Sequence, residues 1–595
     1  MSKKKILPDN AIQLFVLIVV SISISLAGAH DTTLPAAAHG TTSAPTYHPF
    51  LINNIFNYYG NNGEGSHNIF SSTGEGLEYP KGSGKTTVYD EGILWGGFHK
   101  STDTPMVGGS TYLHGLQGGK ILTAGTPTSD PVADDASLPK YRIYRVRPDI
   151  NPSVTFFDVE NKLTTEEAGY IGRYEPATAQ DIYNQYIQDW NEWPASDGAP
   201  YTDVNHDGVY DPAVDIPGQP GADQTLWYVA NDINFSAVRA LTGSDPIGLE
   251  MQRTVWGFNH SGTPANIVFT TTLLINKSGA TIDSMFIAQW VDPDLGDAGD
   301  DFVGCDTARQ MGYVYNGNAV DATYGTMVPA VGYTLLQGPR VTSPGDSALF
   351  RGERRAGFKN LPMTSFEVFC STNFAYFDPP IGTGGNTAWY RAMKGLTILS
   401  GAPIIDPVSQ QPTKFSLSGN PVQATDGSAG WVDGLYGLTP GDRRMCLASG
   451  PFTMANGDTQ EVVVAAIVGL GADRLASILN LRDEWKKVND VFGAIVTSAP
   501  PVRQATEPLQ FRLEQNYPNP FNPTTVVSGQ LAVDSKIRLG VYDLLGREIA
   551  VLVDGKYPAG KFSFTFDGSG LASGIYIYRL TAGQYSASRS MILIK

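Results

Sequence analysis

Short runs of Val, Ile, Thr, Tyr and Phe, each cut off by a Gly, Pro, Asn or Asp cluster, recur along most of this 595-residue chain. Such punctuation suits strands and tight turns and leaves little room for long helices. Gly (65) and Pro (39) are over-represented and only 17% of residues are charged, yet Tyr (28) and Phe (26) are abundant. A chain that rich in aromatic and β-branched residues can bury a sizeable core, so the composition reads as folded β structure and not as disorder. The expected fold class is mainly β: a large β-sandwich body with a few helices, then a small immunoglobulin-like C-terminal β-sandwich. At this length two to four domains are expected.

The N-terminus reads as an export signal. Lys3, Lys4 and Lys5 precede an apolar stretch from Ala11 to Leu26, and Ala27-Gly28-Ala29 supplies small residues for cleavage. The apolar stretch is short and Ser-rich for a membrane span, so residues 1–29 are expected to be a signal peptide cut after Ala29. No Cys stands at that junction, which argues against a lipid anchor, and no later stretch is apolar enough to cross a bilayer. Residues 30–50 are expected to be a flexible Ala/Thr/Pro-rich leader, and 51–495 a β-rich body with room for two subdomains divided near 240–245. The spacing of Ile182, Tyr186 and Trp190 predicts a surface helix within 166–193. That of Leu475, Ile478, Leu479, Leu481, Trp485, Val488 and Phe492 predicts an amphipathic helix closing the body over 473–492. Ile267-Val268-Phe269, Leu273-Leu274-Ile275, the turn 276–279 and Met285-Phe286-Ile287 predict a hairpin. A Pro-rich linker follows at 496–509, and a separate unit at 510–595.

Charge narrows the partners. The formal net charge is −17, and −19 once the first 29 residues are removed. With no basic stripe to offset it, such a surface is repelled by phosphate backbones, which excludes nucleic acid and favours divalent cations. Three widely spaced cysteines, Cys305, Cys370 and Cys446, allow at most one disulfide and no CxxC site; three buried small side chains is the simpler reading.

Few motifs carry chemistry. Gly82-Ser83-Gly84-Lys85-Thr86 lacks the leading Gly of a phosphate loop, since Tyr79 stands there, and strand follows it; it reads as a turn. The stretch from Asp203 to Asp215 is the best candidate site. Asp203, Asn205, Asp207 and Asp211 fall at positions 1, 3, 5 and 9 of a calcium loop, with Gly208 at 6 and the Val209 carbonyl at 7. It is similar to the calcium loops of dockerin and thrombospondin-type repeats, but its last acid, Asp215, comes one residue late and Pro212 forbids an exiting helix. A second, weaker candidate is the cluster Asp292, Asp294, Asp297, Asp300, Asp301 and Asp306, whose mutual repulsion calls for a cation, backbone donors or solvent. None of the eight histidines follows residue 260, and neither an HExxH nor a GxSxG motif is present. His99 and His114 can meet a nucleophile only in space. Trp95, Trp227 and Trp256 suit either sugar stacking or the sandwich core.

Four motifs at the C-terminus carry a resemblance. Asn516-Tyr517-Pro518-Asn519-Pro520-Phe521-Asn522-Pro523 opens the last unit and Val541-Tyr542-Asp543-Leu544-Leu545-Gly546-Arg547 sits mid-way. Leu571-Ala572-Ser573-Gly574-Ile575-Tyr576-Ile577-Tyr578-Arg579-Leu580 and Met591-Ile592-Leu593-Ile594-Lys595 follow. In this order they resemble the type A sorting domain of type IX secretion cargo in Bacteroidota and their relatives. The resemblance implies carriage across the outer membrane by the type IX machinery, then release or attachment at the cell surface, often with loss of the domain. More loosely, Pro80–Thr86, Asp292–Gly296 with Asp301–Asp306, and Ser449–Phe452 with Gly457-Asp458 are similar to segments of other large cargo proteins of no assigned activity.

The sequence therefore points to no reaction. The expected protein is secreted or on the cell surface, with a structural, adhesive or binding role stabilised by calcium. A surface polysaccharide or an extracellular glycan or protein is its expected ligand. A carboxylate-dependent hydrolase of glycans or peptides and a non-catalytic carbohydrate-binding protein are the alternatives.

Overall fold

Strands whose apolar residues run without interruption must be buried on both faces, and two such sheets make the body. The larger runs, edge to edge, through Tyr144–Val146, Gln224–Asn231, Leu249–Gly257, Ile267–Asn276, Thr459–Gly469, Ala330–Gln337, Met311–Asn316 and Asp301–Asp306, with Gln117–Gly118 also on Gln224–Asn231. The smaller runs Ser365–Cys370, Arg443–Met454, Ile282–Asp292, Asp90–His99 and Met106–Gly109. All pairs are antiparallel, and the strands on either side of 240–245 pair directly with each other. The computed structural model describes residues 45–498 and 511–595, apart from 72–75, 100–101, 174–176, 261–262, 371–375, 425–428, 517, 532, 534, 558–559 and 584. The expected signal peptide, most of the leader and most of the linker lie outside the described residues.

The two-residue period of a strand sorts side chains between layers. Met285, Ile287 and Val291 enter the core between the sheets, while Phe286, Ala288 and Trp290 point the other way, under the helix Gly385–Met393. On the larger sheet Val268, Ala466 and Val468 face the same central core, and Ile267, Phe269, Ala465 and Ile467 face outward. The helix Arg474–Ser498 covers that outer face with Ile478, Leu481 and Val488. Gly469 makes this contact close: a Cβ there would lie 2.2 Å from the backbone nitrogen of Leu481. Trp95, Trp227 and Trp256 are core residues, each at most 2% exposed.

One expectation is corrected. The turn at 276–279 does not close a hairpin, because Ile267–Asn276 belongs to the larger sheet and Ile282–Asp292 to the smaller. The chain crosses between layers there, held by Asn276 Nδ2 donating to the carbonyls of Ala280 and Met454. The predicted helix within 166–193 is found in two parts, Gly169–Ile171 and Ala179–Asn191, with Ile182, Tyr186 and Trp190 buried. The phosphate-loop-like segment is a turn between the paired strands Leu77–Glu78 and Thr86–Val88, with Gly82 and Gly84 at positive φ. All three cysteines are buried; Cys370 Sγ accepts from Arg443 Nη1 at 3.2 Å.

The C-terminal unit has two sheets of its own: Arg512–Leu513, Thr524–Leu531 and Gly560–Asp567; and Glu548–Tyr557, Ser535–Tyr542, Gly574–Ala582 and Tyr585–Leu593. Val527, Ile537, Leu539, Val541, Phe562, Phe566, Tyr578, Leu580 and Met591 fill the space between them.

Candidate functional site

Three neighbouring strands of the smaller sheet end together: Arg443–Met454, Ile282–Asp292 and Asp90–His99. Asp292 and Asp90 are register partners there, at 3% and 1% exposure. A Gly-rich loop is stitched onto this edge. Gly65 N donates to Glu91 O and Glu91 N to Gly65 O, both at 2.9 Å. A Cβ on Gly65 would lie 2.5 Å from Glu91 Oε1 and 2.9 Å from Tyr59 Cε1, so these side chains would have to shift to admit one. This brings Glu64 and His67 to Asp90, with one donor atom of each within 4.8 Å of the others. His114 Nε2 lies 3.5 Å from Glu64 Oε2, and Tyr47 donates to Glu64 at 2.5 Å.

On the other side of Asp90 the seam continues through Asp292, Asp294 and Asp442, whose carboxylate oxygens again lie within 4.8 Å of one another. Arg444 sits among them. Its Nε is 3.4 Å from Asp292 Oδ1, its Nη2 2.8 Å from Asp442 Oδ2, and its Nη1 3.6 Å from Asp378 Oδ2. Tyr112 completes the group: its hydroxyl donates to Asp292 Oδ2 and accepts from Arg444 Nε, both at 2.6 Å.

Burial dominates the electrostatics. It pushes Glu64 up to about 7, against the hydrogen bonds from Tyr47 and Asn62. It raises Asp90 well above the carboxylate range, aided by Glu64, Asp292 and Glu91. Asp292 is raised by burial and by Asp294, with Arg444 and Tyr112 opposing. Burial and His67 lower His114 to about 4, leaving a neutral imidazole at ordinary pH.

Beside Tyr112 opens a cavity of ≈ 330 Å³, walled by Tyr112, Leu113, Trp290, Ile381 and Trp389, with Asp378 among its polar groups. Tyr112 packs edge-on to Trp290 with ring centroids 4.6 Å apart. Two of the cavity's lining residues, Trp290 and Asp378, each carry a buried polar atom, Nε1 and Oδ1, with no hydrogen-bond partner among the described residues.

The residues singled out in the sequence fall elsewhere or only partly here. Asp203, Asn205, Asp207, Val209, Asp211 and Asp215 form a loop between the paired strands Tyr201–Thr202 and Ile216–Pro217. Asp203 Oδ2 accepts from Gly208 N at 2.9 Å, and Asp215 spends both oxygens on Val204 N and Asp211 N. The second cluster is dispersed. Asp292 and Asp294 join the seam, Asp297 caps a short turn by accepting from Gly299 N, and Asp300 accepts from Asn318. Asp301 is fully buried and accepts from Leu295 N, while Asp306 pairs with Arg309 and Arg482. Sequence reading missed Glu64, His67, Asp90, Tyr112, Asp378, Asp442 and Arg444 as site residues. Only Glu64 and His67 carried a local signal, an acid and a His inside a Gly/Asn turn cluster.

In the C-terminal unit the motifs lock onto one another. Tyr578 Oη donates to Glu514 O at 2.6 Å and accepts from Asn516 N at 2.8 Å. Asn516 Nδ2 donates to Pro518 O and to Thr525 Oγ1. Phe521 pairs with the final strand, its N–H on Ile592 O and its carbonyl receiving Ile594 N, while Asn519 Oδ1 accepts from Ile592 N. Residues 515–595 match the family described as the secretion system C-terminal sorting domain. The C-terminal unit is a sorting domain. It makes the chain a type A cargo protein of type IX secretion, exported to the cell surface or beyond, and it implies contact with the secretion machinery.

Outside the sorting domain the comparisons give little. No curated protein matches the chain. A solved polysaccharide lyase aligns with 58% of this chain and 34% of its own, at 6% identity and a TM-score of 0.17. The chain thus spans about a third of that lyase, and at this score the likeness carries no argument. Among the described residues no helix is long and apolar enough to cross a membrane, which says nothing of strands.

Proposed function

We propose that the exported body is a binding protein that holds a sugar, from a surface polysaccharide or an extracellular glycan, in the cavity beside Tyr112. The observation that carries this reading is that two residues lining the cavity, Trp290 and Asp378, each hold a buried polar atom, the donor Nε1 and the acceptor Oδ1, without a partner among the described residues. A buried polar atom without a partner costs about 1–3 kcal/mol, and a hydroxylated ligand supplies both an acceptor and a donor. Trp389 and Tyr112 add aromatic rings to the lining, the residue type on which the C–H side of a sugar ring packs. Titration of the full chain with oligosaccharides tests it. Asp378→Asn and Ile381→Arg, the latter at a 66% exposed wall position, are expected to weaken binding about tenfold or more; unchanged affinity in both would sink the idea.

Calcium at the 203–215 loop is the structural part of the same proposal. Asp203 Oδ1 is buried without a partner among the described residues, and the other oxygen accepts from Gly208 N within the loop. An ion there would staple a loop whose own side chains otherwise only cap turns.

A second reading, a carboxylate-dependent hydrolase, draws on the closeness of Asp292, Asp294 and Asp442 and on the Tyr112 hydroxyl between Asp292 and Arg444. Turnover of a bound glycan, lost in Asp294→Ala, would favour it over binding alone.

A further inference from the structure

Glu64 and Asp90 are buried carboxylates with no compensating Lys or Arg among the described residues. Each is at most 1% exposed, and among the described residues their only cation-forming neighbours are His67 Nδ1 and His114 Nε2, 3.8 and 3.5 Å from Glu64. Asp90 is further burdened by Asp292, its register partner. A second observation is independent of this crowding of charge. Asp90 Oδ1 is buried and has no hydrogen-bond partner among the described residues, and a carboxylate oxygen of Asp90 lies within 4.8 Å of donor atoms of Glu64 and His67. A fully buried acceptor left empty beside two other donor atoms is what a site for a cation requires.

We propose that Glu64, His67 and Asp90 hold a divalent transition-metal ion of the zinc class, with His114 as the fourth donor. The donor set selects the ion. Calcium and magnesium take shells of oxygen, whereas a mixed set of imidazole and carboxylate suits zinc and its first-row neighbours. Zinc bonds of about 2.0–2.2 Å place tetrahedral ligand atoms about 3.3–3.6 Å apart, so these three, which lie within 4.8 Å of one another, would close in by side-chain rotation. The neighbouring trio Asp292, Asp294 and Asp442 is not equivalent, because Arg444 already supplies its positive charge. An ion at Glu64 would join three separate segments, the loop after the strand Asn57–Gly60, the start of Asp90–His99, and the loop carrying His114. It would also neutralise one member of the opposed Asp90–Asp292 pair.

The test uses the full chain, stripped with a chelator and titrated with zinc chloride in excess calcium, so that the 203–215 loop does not compete. One zinc per chain is expected to survive gel filtration. Cobalt in its place is expected to give the visible absorption of a four-coordinate nitrogen–oxygen site. Asp90→Asn and His114→Gln are each expected to weaken zinc binding about a hundredfold and to abolish the cobalt spectrum, while His206→Gln and His260→Gln change neither. If Asp90→Asn does not fold, His67→Gln, at a side chain 26% exposed, carries the test. A wild-type chain that retains no zinc, or variants that bind it as tightly as wild type, overturns the proposal.

Discussion

Asp90 and Asp292 stand opposite each other on adjacent antiparallel strands, both buried, at the point where three strands of the smaller sheet end. Like charges directly across a strand pair are unfavourable even at a surface, and inside a protein more so. Neutralising this pair is expected to stabilise the metal-free body. At a pH above the raised range in which these two carboxyls ionise, Asp90→Asn should raise its melting temperature, by about 2–4 °C per kcal/mol recovered, as followed by thermal unfolding in chelator. A lower melting temperature would mean that the charge is needed where it stands.

Glu367 tests burial without a cluster. Burial pushes its carboxyl from 4.5 up to about 8, against hydrogen bonds from Ser416 and Val368. The folded chain therefore keeps a proton that the unfolded chain gives up. The stability associated with that proton is complete below about pH 4.5 and is lost as pH rises to about 8, at up to ~1.4 kcal/mol per pH unit. Chemical denaturation of Glu367→Gln across this window should be flatter than wild type, with the difference growing toward pH 8.

The calcium loop gives a ligand-removal test. Calcium at about a hundred times its dissociation constant is expected to add about 2.7 kcal/mol if binding is coupled to folding of the body. Calorimetry with and without chelator should lose this shift in Asp203→Ala but keep it in Asp297→Ala. Equal shifts in both variants would remove the site from 203–215.

The helix that closes the body depends on one close contact. A Cβ at Gly469 would lie 2.2 Å from Leu481 N and 2.5 Å from its Cα, so Gly469→Ala forces the helix outward. Leu481→Ala leaves a void at a fully buried position and should cost about 2–5 kcal/mol. Urea unfolding is expected to rank both far below a surface control such as Lys487→Ala.

Much of this architecture can be read from the chain. Residues 462–468 are apolar throughout because nearly all of them are buried, on both faces of the strand, and the 474–498 helix follows from its period of buried residues. The layer crossing at 276–279 is not readable, since turn chemistry reports that a chain reverses and not which sheet receives it. The seam is less readable still. Glu64, Asp90, Asp292 and Arg444 are far apart in sequence, and only the strand order of the smaller sheet brings them together. The Asp292–Asp306 cluster is divided for the same reason: Asp292 and Asp294 stay together in the seam, and Asp297, Asp300, Asp301 and Asp306 go to separate partners. The sorting motifs were legible because their contacts, such as Tyr578 with Asn516, lie within one short domain.

Those contacts make export testable. Tyr578→Phe removes a donor to Glu514 O and an acceptor for Asn516 N, at a cost of about 1–3 kcal/mol to the sorting domain. Export in the native host should fall with it and stop on deletion of 515–595, with the body retained in the periplasm. Surface display of the deleted chain would mean that another segment carries the export signal.

The most direct test of the binding function is a crystal structure of the exported protein with an oligosaccharide that it binds in solution. A sugar ring is expected in the cavity between Tyr112 and Trp389, with hydroxyls on Trp290 Nε1 and Asp378 Oδ1. A ligand seated elsewhere, with that cavity unchanged, would contradict the proposed function.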